Sequence, residues 1–466
     1  MENKTTAKKA KITFVSGVGT VTGANFLFET MPEGDEKPVR IVIDCGLEQG
    51  TKEAPKRNRQ KFSYDPSTID YLFVTHAHID HIGRVPKLVK EGFKGKIFST
   101  LETLELAPLM LEDSARLLAR ESEKDNLPPM YDENDIRNSL SLWREIPYHV
   151  PIELHGGLSV FAKDAGHILG SAMFEFTLNG RKIIFTGDLG NSPTPLLKDT
   201  EDIIGADYMV MESVYGDRDH ESTEQRKSRL EDVIEDAHKR GGALIVPCFS
   251  LEKTQVVLSE INSLVEEGRV PSMPVFLDSP LAIKVTEVYR NFHKNFNEES
   301  KKKIEKGDDI FSFPRLKLIL STEDSKNLAT VPNPKIIIAG SGMSNGGRIV
   351  HHEAQYLPDP KSTILLIGYQ TLGTLGRHIQ NGEKHVSIFG DKVEVRAKVE
   401  MIDGYSSHKD STRLIEFVEK GKDTLKKVFP VMGEPKSSLF LAQRIQDYVG
   451  VSAHHPKEGE EVILDF

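Results

Sequence analysis

The residues best suited to chemistry lie in one short run that follows an apolar stretch, Leu72 to Val74, predicted to be a strand. The run supplies four side chains of metal-ligand type, which are His76, His78, Asp80 and His81. In an extended turn the two leading histidines point the same way, and Asp80 and His81 face an adjacent position one turn later. Imidazoles and carboxylates without a thiolate favour zinc, and a mixed nitrogen and oxygen set is typical of catalytic sites. An exposed polar turn is the alternative, but it does not explain why the run follows a buried strand.

Three further candidate ligands follow predicted strands or stand beside glycines, and they are Asp44, His167 and Asp188. Ligand sites of α/β proteins gather where strands end and the chain changes direction. Taken singly, a histidine beside glycines is more often a turn residue, and an aspartate after a strand is more often a cap. The positions of His167 and Asp188 alone therefore favour the turn and cap interpretations.

A glycine-rich segment, residues 340–348, follows the predicted strand Ile336 to Ala339. Glycines let backbone N–H groups approach an anion, and side-chain donors add to them, which suits a phosphate of a nucleic-acid backbone. The candidate phosphate contacts are Ser341, Gly342, Ser344, Gly346 and Arg348. The segment is not a nucleotide-binding fingerprint, because Asn345 stands where the third glycine is needed. A tight turn between layers is the alternative.

Residues 52–61 carry five basic side chains against one acid. They lie between Asp44 and the histidine run, so they are predicted to line the rim of the metal site and attract phosphates. Phe62, Tyr64 and Tyr369 are candidates for stacking on bases. A solvated loop and core aromatic residues are the corresponding alternatives.

Short apolar runs that end in polar or glycine-rich turns recur along the chain, as do the buried strands of a layered α/β protein. Besides those above, the predicted strands are Val39 to Ile43, Ile183 to Phe185, Tyr208 to Met211, Leu244 to Val246, Val275 to Leu277 and Ile364 to Ile367. Apolar residues at helical spacing lie between several of them. Ser222 with Gln225 is predicted as a capping box and Gly241 as a helix stop.

Two larger segments follow from this pattern. Strand, helix and strand alternate over residues 206–280, which predicts a parallel βαβ layer. Residues 101–145 are charged and helical in pattern, so they are predicted to be an insertion without a strand.

Length and composition limit the class of protein. The 466 residues suffice for about three domain-sized units, or two large ones. Cys45 and Cys248 are too few for a disulfide framework, and without an apolar secretion segment they favour a cytoplasmic location. No uncharged apolar run reaches the length of a membrane span, so no membrane partner is expected. The net charge of −10 argues against a simple nucleic-acid coat protein, and the oligomeric state stays open, with a homodimer as one option.

In their order along the chain, the candidate ligands resemble those of the metallo-β-lactamase fold hydrolases. The resemblance implies an α/β fold, an αββα sandwich, with two Zn²⁺ ions per chain. The implied ligands are His76, His78 and His167 for the first ion, Asp80 and His81 for the second, and Asp188 as a bridge. Asp44 would orient the histidine run without touching metal.

Three further segments, residues 211–218, 373–378 and 404–408, resemble motifs A, B and C of the β-CASP group. That group comprises nucleases of this fold with a second domain inserted in the chain. The implied division is a metallo-β-lactamase domain at 1–211 and 388–466, interrupted by an α/β β-CASP domain at 212–387.

The motifs also carry implied roles. Glu212 would orient His378, which would act as the general acid, and His408 would complete the shell of the second ion. The implied catalytic set is His378, Glu212, Asp80 and Asp188. A histidine at the motif C position is the pattern of RNA-acting members, so the expected substrate is RNA.

The resemblance implies a zinc-dependent ribonuclease in which a hydroxide bridging the two ions attacks the phosphorus, leaving 5′-phosphate and 3′-hydroxyl ends. Endonuclease action is expected, with 5′–3′ exonuclease activity as an option. A small-molecule hydrolase of thioesters or lactones is the alternative, because the same ligands serve that chemistry. The roughly 175-residue segment after Glu212 argues against it, since it is too long for a loop. A degenerate subunit that only binds RNA is a third option, disfavoured by the intact ligand set.

Overall fold

The computed structural model describes residues 9–31, 37–221, 223–371 and 373–466. These residues form two compact units. Unit 1 comprises those within 1–192, 199–219 and 408–466, and unit 2 comprises those within 193–198 and 220–407. The domain boundaries given above stay predictions. In the described part of the chain, no helix is both long and apolar enough to cross a membrane.

Among the described residues, unit 1 contains two seven-stranded sheets. In spatial order, the strands of the first sheet are Glu461–Asp465, Lys9–Ser16, Asn25–Thr30, Val39–Ile43, Tyr71–Phe73, Lys96–Ser99 and Trp143–Glu145. Those of the second are Ser452–Ala453, Lys427–Val431, Tyr208–Glu212, Arg181–Phe185, Ala172–Leu178, Ser159–Asp164 and Ile152–Glu153. The strands predicted at Val39, Leu72, Ile183 and Tyr208 all lie in these sheets, which confirms those predictions.

The two sheets pack face to face around an apolar core. Every second residue of Lys9–Ser16 is buried, which is the pattern of a strand with one face on a core. Aromatic rings of the two sheets meet directly, with centroids 5.8 Å apart for Phe28 and Phe176 and 5.2 Å apart for Phe73 and Phe174. Apolar alternation in the strands therefore determines which face is inside.

Helices lie on the outer faces of the sheets. Those of unit 1 are Ala54–Arg59, Ile79–Ile82, Val85–Lys90, Leu101–Lys124, Glu133–Leu142, Ser411–Lys420 and Pro435–Arg444. Leu414 and Phe417 of one helix pack in a single apolar cluster with Met209 of the second sheet. The arrangement confirms the predicted αββα sandwich.

Residues 101–145 are not a helical insertion without a strand. The helices Leu101–Lys124 and Glu133–Leu142 lead into the strand Trp143–Glu145, which pairs in parallel with Lys96–Ser99. The prediction was wrong because a three-residue edge strand is too short to give a periodic signal. The segment is a crossover connection within the first sheet.

Unit 2 is built, in its described residues, on a six-stranded parallel sheet. The strand order is Leu316–Leu318, Val275–Leu277, Lys335–Ala339, Ala243–Pro247, Thr363–Ile367 and Lys398–Ile402. A hairpin of His385–Ile388 and Asp391–Glu394 accompanies it. The helices are Thr223–Arg240, Lys253–Glu266, Pro280–Asn291, Glu298–Glu305, Thr322–Asn327, Ile349–Tyr356 and Leu375–Gln380. The central strands are buried at every residue, as in a parallel sheet covered on both faces.

The βαβ layer predicted over residues 206–280 is divided between the two units. Tyr208–Glu212 belongs to the second sheet of unit 1, whereas Ala243–Pro247 and Val275–Leu277 belong to unit 2, with Lys335–Ala339 between them. That prediction was wrong because local periodicity finds strands but not their partners, which long-range pairing decides.

The first helix of unit 2 ends as its sequence predicts. Thr223–Arg240 stops at Gly241, whose φ of +70° is typical of a glycine that terminates a helix. Ser222, part of the predicted capping box, lies outside the described residues.

Candidate metal centre

The histidine run is fixed against the segment that follows Val39–Ile43. The Cys45 N–H donates to the His81 carbonyl oxygen at 2.7 Å. Gly46 has no room for a side chain, because a Cβ there would lie 1.5 Å from the Asp80 carbonyl oxygen. This close approach of two backbones positions the run at the carboxyl ends of two parallel strands.

Four side chains of unit 1 place one ligand atom each within 4.8 Å of one another, and they are His76, His78, His167 and Asp188. Nδ1 of His78 lies 3.1 Å from Nε2 of His76 and 3.3 Å from Nε2 of His167. Oδ2 of Asp188 lies 3.5 Å from Nε2 of both His76 and His167. Ligand atoms of a tetrahedral centre with bonds of about 2.0–2.1 Å are about 3.3–3.4 Å apart. These four atoms therefore have the spacing of one tetrahedral metal site.

Asp188 also belongs to a second group of candidate ligands. One ligand atom from each of Asp188, Glu212 and His408 lies within 4.8 Å of the other two. Oδ2 of Asp188 is 3.4 Å from Nε2 of His81, which is 3.9 Å from Oδ2 of Asp80. Asp188 thus stands between the three-histidine group and these further acids and histidines.

Asp44 contacts the histidine run from the side away from Asp188. Its carboxylate accepts from the N–H and the hydroxyl of Thr75, both at 2.8 Å, and lies 2.7 Å from Nδ1 of His81. Because Nδ1 of His81 is engaged by Asp44, Nε2 is the nitrogen presented to Asp188. The Thr75 hydroxyl also lies 3.0 Å from Nδ1 of His76.

Burial and neighbouring charges set the protonation of the cluster. Burial lowers the pKa of His76 well below its ordinary value, which keeps the imidazole neutral as a ligand must be. Burial raises the pKa of Asp80 to about 6 and also raises the pKa of Glu212. Burial acts to raise the pKa of Asp188 too, but His81 and His408 outweigh it and hold that pKa well below its ordinary value. A divalent cation would stabilise such a concentration of buried carboxylates.

Two buried polar atoms of the cluster, Nε2 of His81 and Oδ1 of Asp188, make no hydrogen bond within the described part of the chain. Leaving such atoms unsatisfied costs about 1–3 kcal/mol each, so natural proteins rarely do so without a reason. A metal ion accepts electron pairs from both atoms. The donor set, nitrogen and oxygen without sulfur, and its spacing therefore fit a bound metal.

Comparison with known proteins agrees with this chemistry. The Metallo-beta-lactamase superfamily model matches residues 39–236, the Beta-Casp domain model residues 254–379, and the Zn-dependent metallo-hydrolase RNA specificity domain model residues 392–456. Ribonuclease TTHA0252 of Thermus thermophilus is 34% identical over 87% of this chain and 90% of its own length. This chain belongs to the β-CASP family of the metallo-β-lactamase superfamily.

Other relatives of this β-CASP protein include an RNase J-like protein of Methanocaldococcus jannaschii, 31% identical over 90% of this chain and 93% of that protein. Transcription termination factor FttA of Methanosarcina mazei is 29% identical over 93% of this chain and 68% of that protein. A crystal structure of a protein of unknown function from Enterococcus faecalis covers 98% of this chain and 100% of that chain with a TM-score of 0.57 and 14% identity. That last likeness concerns the fold alone.

In this β-CASP protein, the expected general acid His378 lies in unit 2 on the helix Leu375–Gln380. Its side chain is 47% exposed, and Nδ1 lies 2.5 Å from Oε1 of Glu383. The hydroxyl of Thr374 caps the helix by accepting from the Arg377 N–H at 3.2 Å. Glu383 is a partner of His378 that the sequence did not indicate.

Glu212, which was expected to orient His378, has its described contacts in unit 1. It accepts from the Leu189 N–H at 2.6 Å, and both of its carboxylate oxygens lie 3.1 Å from Nδ1 of His408. Its link to His378 stays a prediction.

The β-CASP loop at residues 340–348 holds two of its candidate phosphate ligands in internal contacts. Ser344 is buried and its hydroxyl donates to Glu353 at 2.5 Å. Arg348 donates to Asp278 at 2.7 Å. Ser341, by contrast, is half-buried, and its hydroxyl accepts from the Asn345 N–H at 3.0 Å.

The basic segment at 52–61 also divides into engaged and exposed side chains. Arg57 contacts Glu48 at 2.5 Å and Glu458 at 2.7 Å, whereas Lys56 is exposed. Tyr64 is buried and stacks on Phe62 with ring centroids 5.4 Å apart. The alternative of a core aromatic residue therefore holds for Tyr64.

Sequence reasoning missed Thr75, Lys409 and the contact between Glu212 and His408. Thr75 precedes the histidine run. Its position at the end of a strand was a signal that its hydroxyl could contact the site. The burial of Lys409, which is 5% exposed, had no signal, because lysine is ordinarily a surface residue.

Proposed function

We propose that this protein is a zinc-dependent ribonuclease that hydrolyses RNA phosphodiester bonds and leaves 5′-phosphate and 3′-hydroxyl ends. The observation that carries the proposal is the buried cluster of histidines and aspartates, with its unsatisfied polar atoms, in a chain of the β-CASP family. The chain also matches the Zn-dependent metallo-hydrolase RNA specificity domain model, and two of its relatives are named ribonuclease or RNase J-like.

In this proposal the cluster holds two ions. His76, His78 and His167 would hold the first through the nitrogens that lie within 4.8 Å of one another and of an Asp188 oxygen, and Asp80, His81 and His408 would hold the second. Asp188, whose Oδ2 lies 3.4–3.5 Å from nitrogens of three of these histidines, would be a ligand of both. The bound ions would supply Lewis acidity and make a water nucleophilic near neutral pH.

The remaining residues orient these ligands and move a proton. Asp44 holds Nδ1 of His81, which fixes the tautomer that presents Nε2. Glu212 holds Nδ1 of His408 in the same manner. His378 donates a proton to the departing 3′ oxygen. A general acid of this kind contributes roughly 10²–10⁴-fold to the rate.

We assign phosphate binding on the loop at 340–348 to the candidates whose side chains do not bind a carboxylate. Ser341, Gly342 and Gly346 are the candidates, since Ser344 and Arg348 bind Glu353 and Asp278. Four further points rest on the sequence and stay predictions: zinc as the ion, endonuclease preference, a homodimer and a cytoplasmic location.

The decisive experiment incubates the full chain with matched RNA and DNA oligonucleotides labelled at the 5′ or the 3′ end. Three conditions are compared: as purified, after chelation, and after return of Zn²⁺. We expect RNA cleavage that chelation abolishes and Zn²⁺ restores, with 5′-phosphate products. Equal turnover of the DNA would remove the RNA assignment, and cleavage that persists after complete metal removal would remove the metal mechanism. Hydrolysis of thioesters or lactones without any RNA cleavage would favour the small-molecule alternative.

A further inference from the structure

A buried ammonium group lies next to the candidate metal centre in unit 1. Lys409 follows His408 directly, and its side chain is almost wholly enclosed, with 5% of the residue exposed. Nζ donates to the carbonyl oxygen of Gly190 at 2.8 Å and to the hydroxyl of Ser192 at 3.1 Å. Burying a charge is costly unless it is well paired, so such a lysine needs a specific reason.

Gly190 is the point at which three ligand-bearing segments meet. Its N–H donates to the Ala165 carbonyl oxygen at 2.8 Å, on the segment that leads to His167. It lies two residues after Asp188, and it forms an antiparallel bridge with His408. A Cβ at Gly190 would lie 1.9 Å from the Gly166 carbonyl oxygen, so the backbones are in direct contact.

The backbone of Lys409 adds a further bond at this junction. Its N–H donates to the Leu189 carbonyl oxygen at 2.9 Å, while the Leu189 N–H donates to Glu212 at 2.6 Å. The main chain and the side chain of Lys409 therefore bind two successive carbonyl groups, directly after Asp188.

We propose that Lys409 is a positioning residue that fixes the Asp188 loop to the His408 segment, so that ligands from separate parts of the chain keep the spacing that two metal ions require. This inference rests on the proposed two-metal function. The ammonium acts through Gly190 and does not itself bind metal or substrate. Removing the ammonium group frees the Asp188 loop. Metal affinity should therefore fall more than the stability of the fold does.

The test compares Lys409→Met, which keeps the length and apolar stem of the side chain, with the unchanged protein and with Lys409→Arg. The matched control is Lys335→Met in unit 2. Lys335 is 1% exposed, and its Nζ donates to the carbonyl oxygens of Leu328 and Val331 at 2.7 and 2.6 Å. This control measures the general effect of removing a buried ammonium that binds carbonyl groups.

The readout is Zn²⁺ affinity of the metal-free chain, measured by competition with a chromophoric chelator, alongside the thermal unfolding of the metal-free chain. We expect Lys409→Met to lower the affinity for at least one ion by about 10–100-fold, as for other residues that orient ligands. Lys409→Arg should recover part of that loss, because a guanidinium can also donate to the Gly190 carbonyl. Lys335→Met should leave both affinities unchanged, because Lys335 and its partners Leu328 and Val331 lie in unit 2.

The outcomes separate the two proposals. If the unchanged protein binds fewer than two ions, the proposed function fails. If it binds two ions and Lys409→Met does so with unaltered affinities, the positioning role is overturned. An equal loss of affinity in Lys335→Met would also overturn it, because the effect would then be general. Unfolding curves identify any variant that fails to fold, and Lys409→Gln then replaces Lys409→Met in the same comparison.

Discussion

Two clusters of buried polar residues, one in each unit, satisfy their polar atoms in opposite ways. At the metal centre of unit 1, Nε2 of His81 and Oδ1 of Asp188 have no hydrogen-bond partner among the described residues. In unit 2, Asp278 is just as buried, but it binds Arg348 and His352 at 2.7 Å each and Ser325 at 2.5 Å. The unsatisfied atoms of the metal centre belong to a group whose spacing suits metal ligands, whereas the carboxylate of Asp278 is fully engaged by protein partners.

The largest expected effect comes from substituting the two aspartates, Asp188 and Asp278. Asp188→Asn should lose metal and lower RNA cleavage by at least about 10⁴-fold, because an amide cannot replace an anionic ligand shared by two ions. Asp278→Asn should keep both ions and instead lose about 1–3 kcal/mol of stability. Elemental analysis, a cleavage assay and denaturant unfolding measure the three quantities. Full metal content in Asp188→Asn would contradict the bridging role.

The next effect separates chemistry from metal binding. His378→Ala should retain both ions and lose about 10²–10⁴-fold in cleavage, because the leaving oxygen then departs without a proton. RNA with sulfur in place of the scissile 3′ oxygen needs no such proton, so the variant should cleave it nearly as well as the unchanged protein does. His385→Ala, at an exposed residue of the strand His385–Ile388, is the control and should have no effect. An equal loss on the sulfur substrate would exclude the general-acid role.

Glu353 differs from both aspartates, because a proton rather than a metal neutralises its buried carboxyl group. Burial raises the pKa of Glu353 from 4.5 to about 8. A raised pKa in the folded state means that its contribution to stability is fully present below about pH 4.5 and is lost as pH rises through about 8. Glu353→Gln should therefore gain stability relative to the unchanged protein between pH 5 and pH 8, by an amount on the order of a few kcal/mol.

Denaturant unfolding of both proteins at pH 5, 6.5 and 8 measures this difference. A stability difference that does not change with pH would contradict the assignment. Addition of Zn²⁺ should not alter it, since Glu353 lies in unit 2 with Ser344 as its described partner.

The smallest expected effect concerns the basic segment of unit 1. Lys56→Gln should weaken RNA binding by no more than about threefold and reduce the salt dependence by at most about one phosphate contact. Arg57→Gln should instead cost up to about 1 kcal/mol of stability, because Arg57 binds Glu48 and Glu458. Binding titrations at several salt concentrations distinguish the two variants. An unchanged salt dependence in Lys56→Gln would show that the side chain makes no phosphate contact.

Much of the fold was open to prediction from local pattern. The strands at Val39, Ile183 and Lys335 and the helix that ends at Gly241 are where apolar spacing and glycine place them. The pairing partners of the strands could not be predicted in this way. Tyr208–Glu212 and Ala243–Pro247 have similar apolar sequences but belong to different sheets. Pairing between strands depends on contacts far apart in sequence, and periodicity carries no record of them.

The kind of chemistry follows from residue types and their order along the chain: histidines and aspartates, without thiolates, at the ends of strands. Folding, in contrast, brings the ligand atoms of His76, His78, His167 and Asp188 within 4.8 Å of one another. It also decided that Ser344 and Arg348 are engaged internally and that Lys409 is buried at Gly190. The physical reason is that residue type fixes what a side chain can bind, whereas burial and competing partners fix what it does bind.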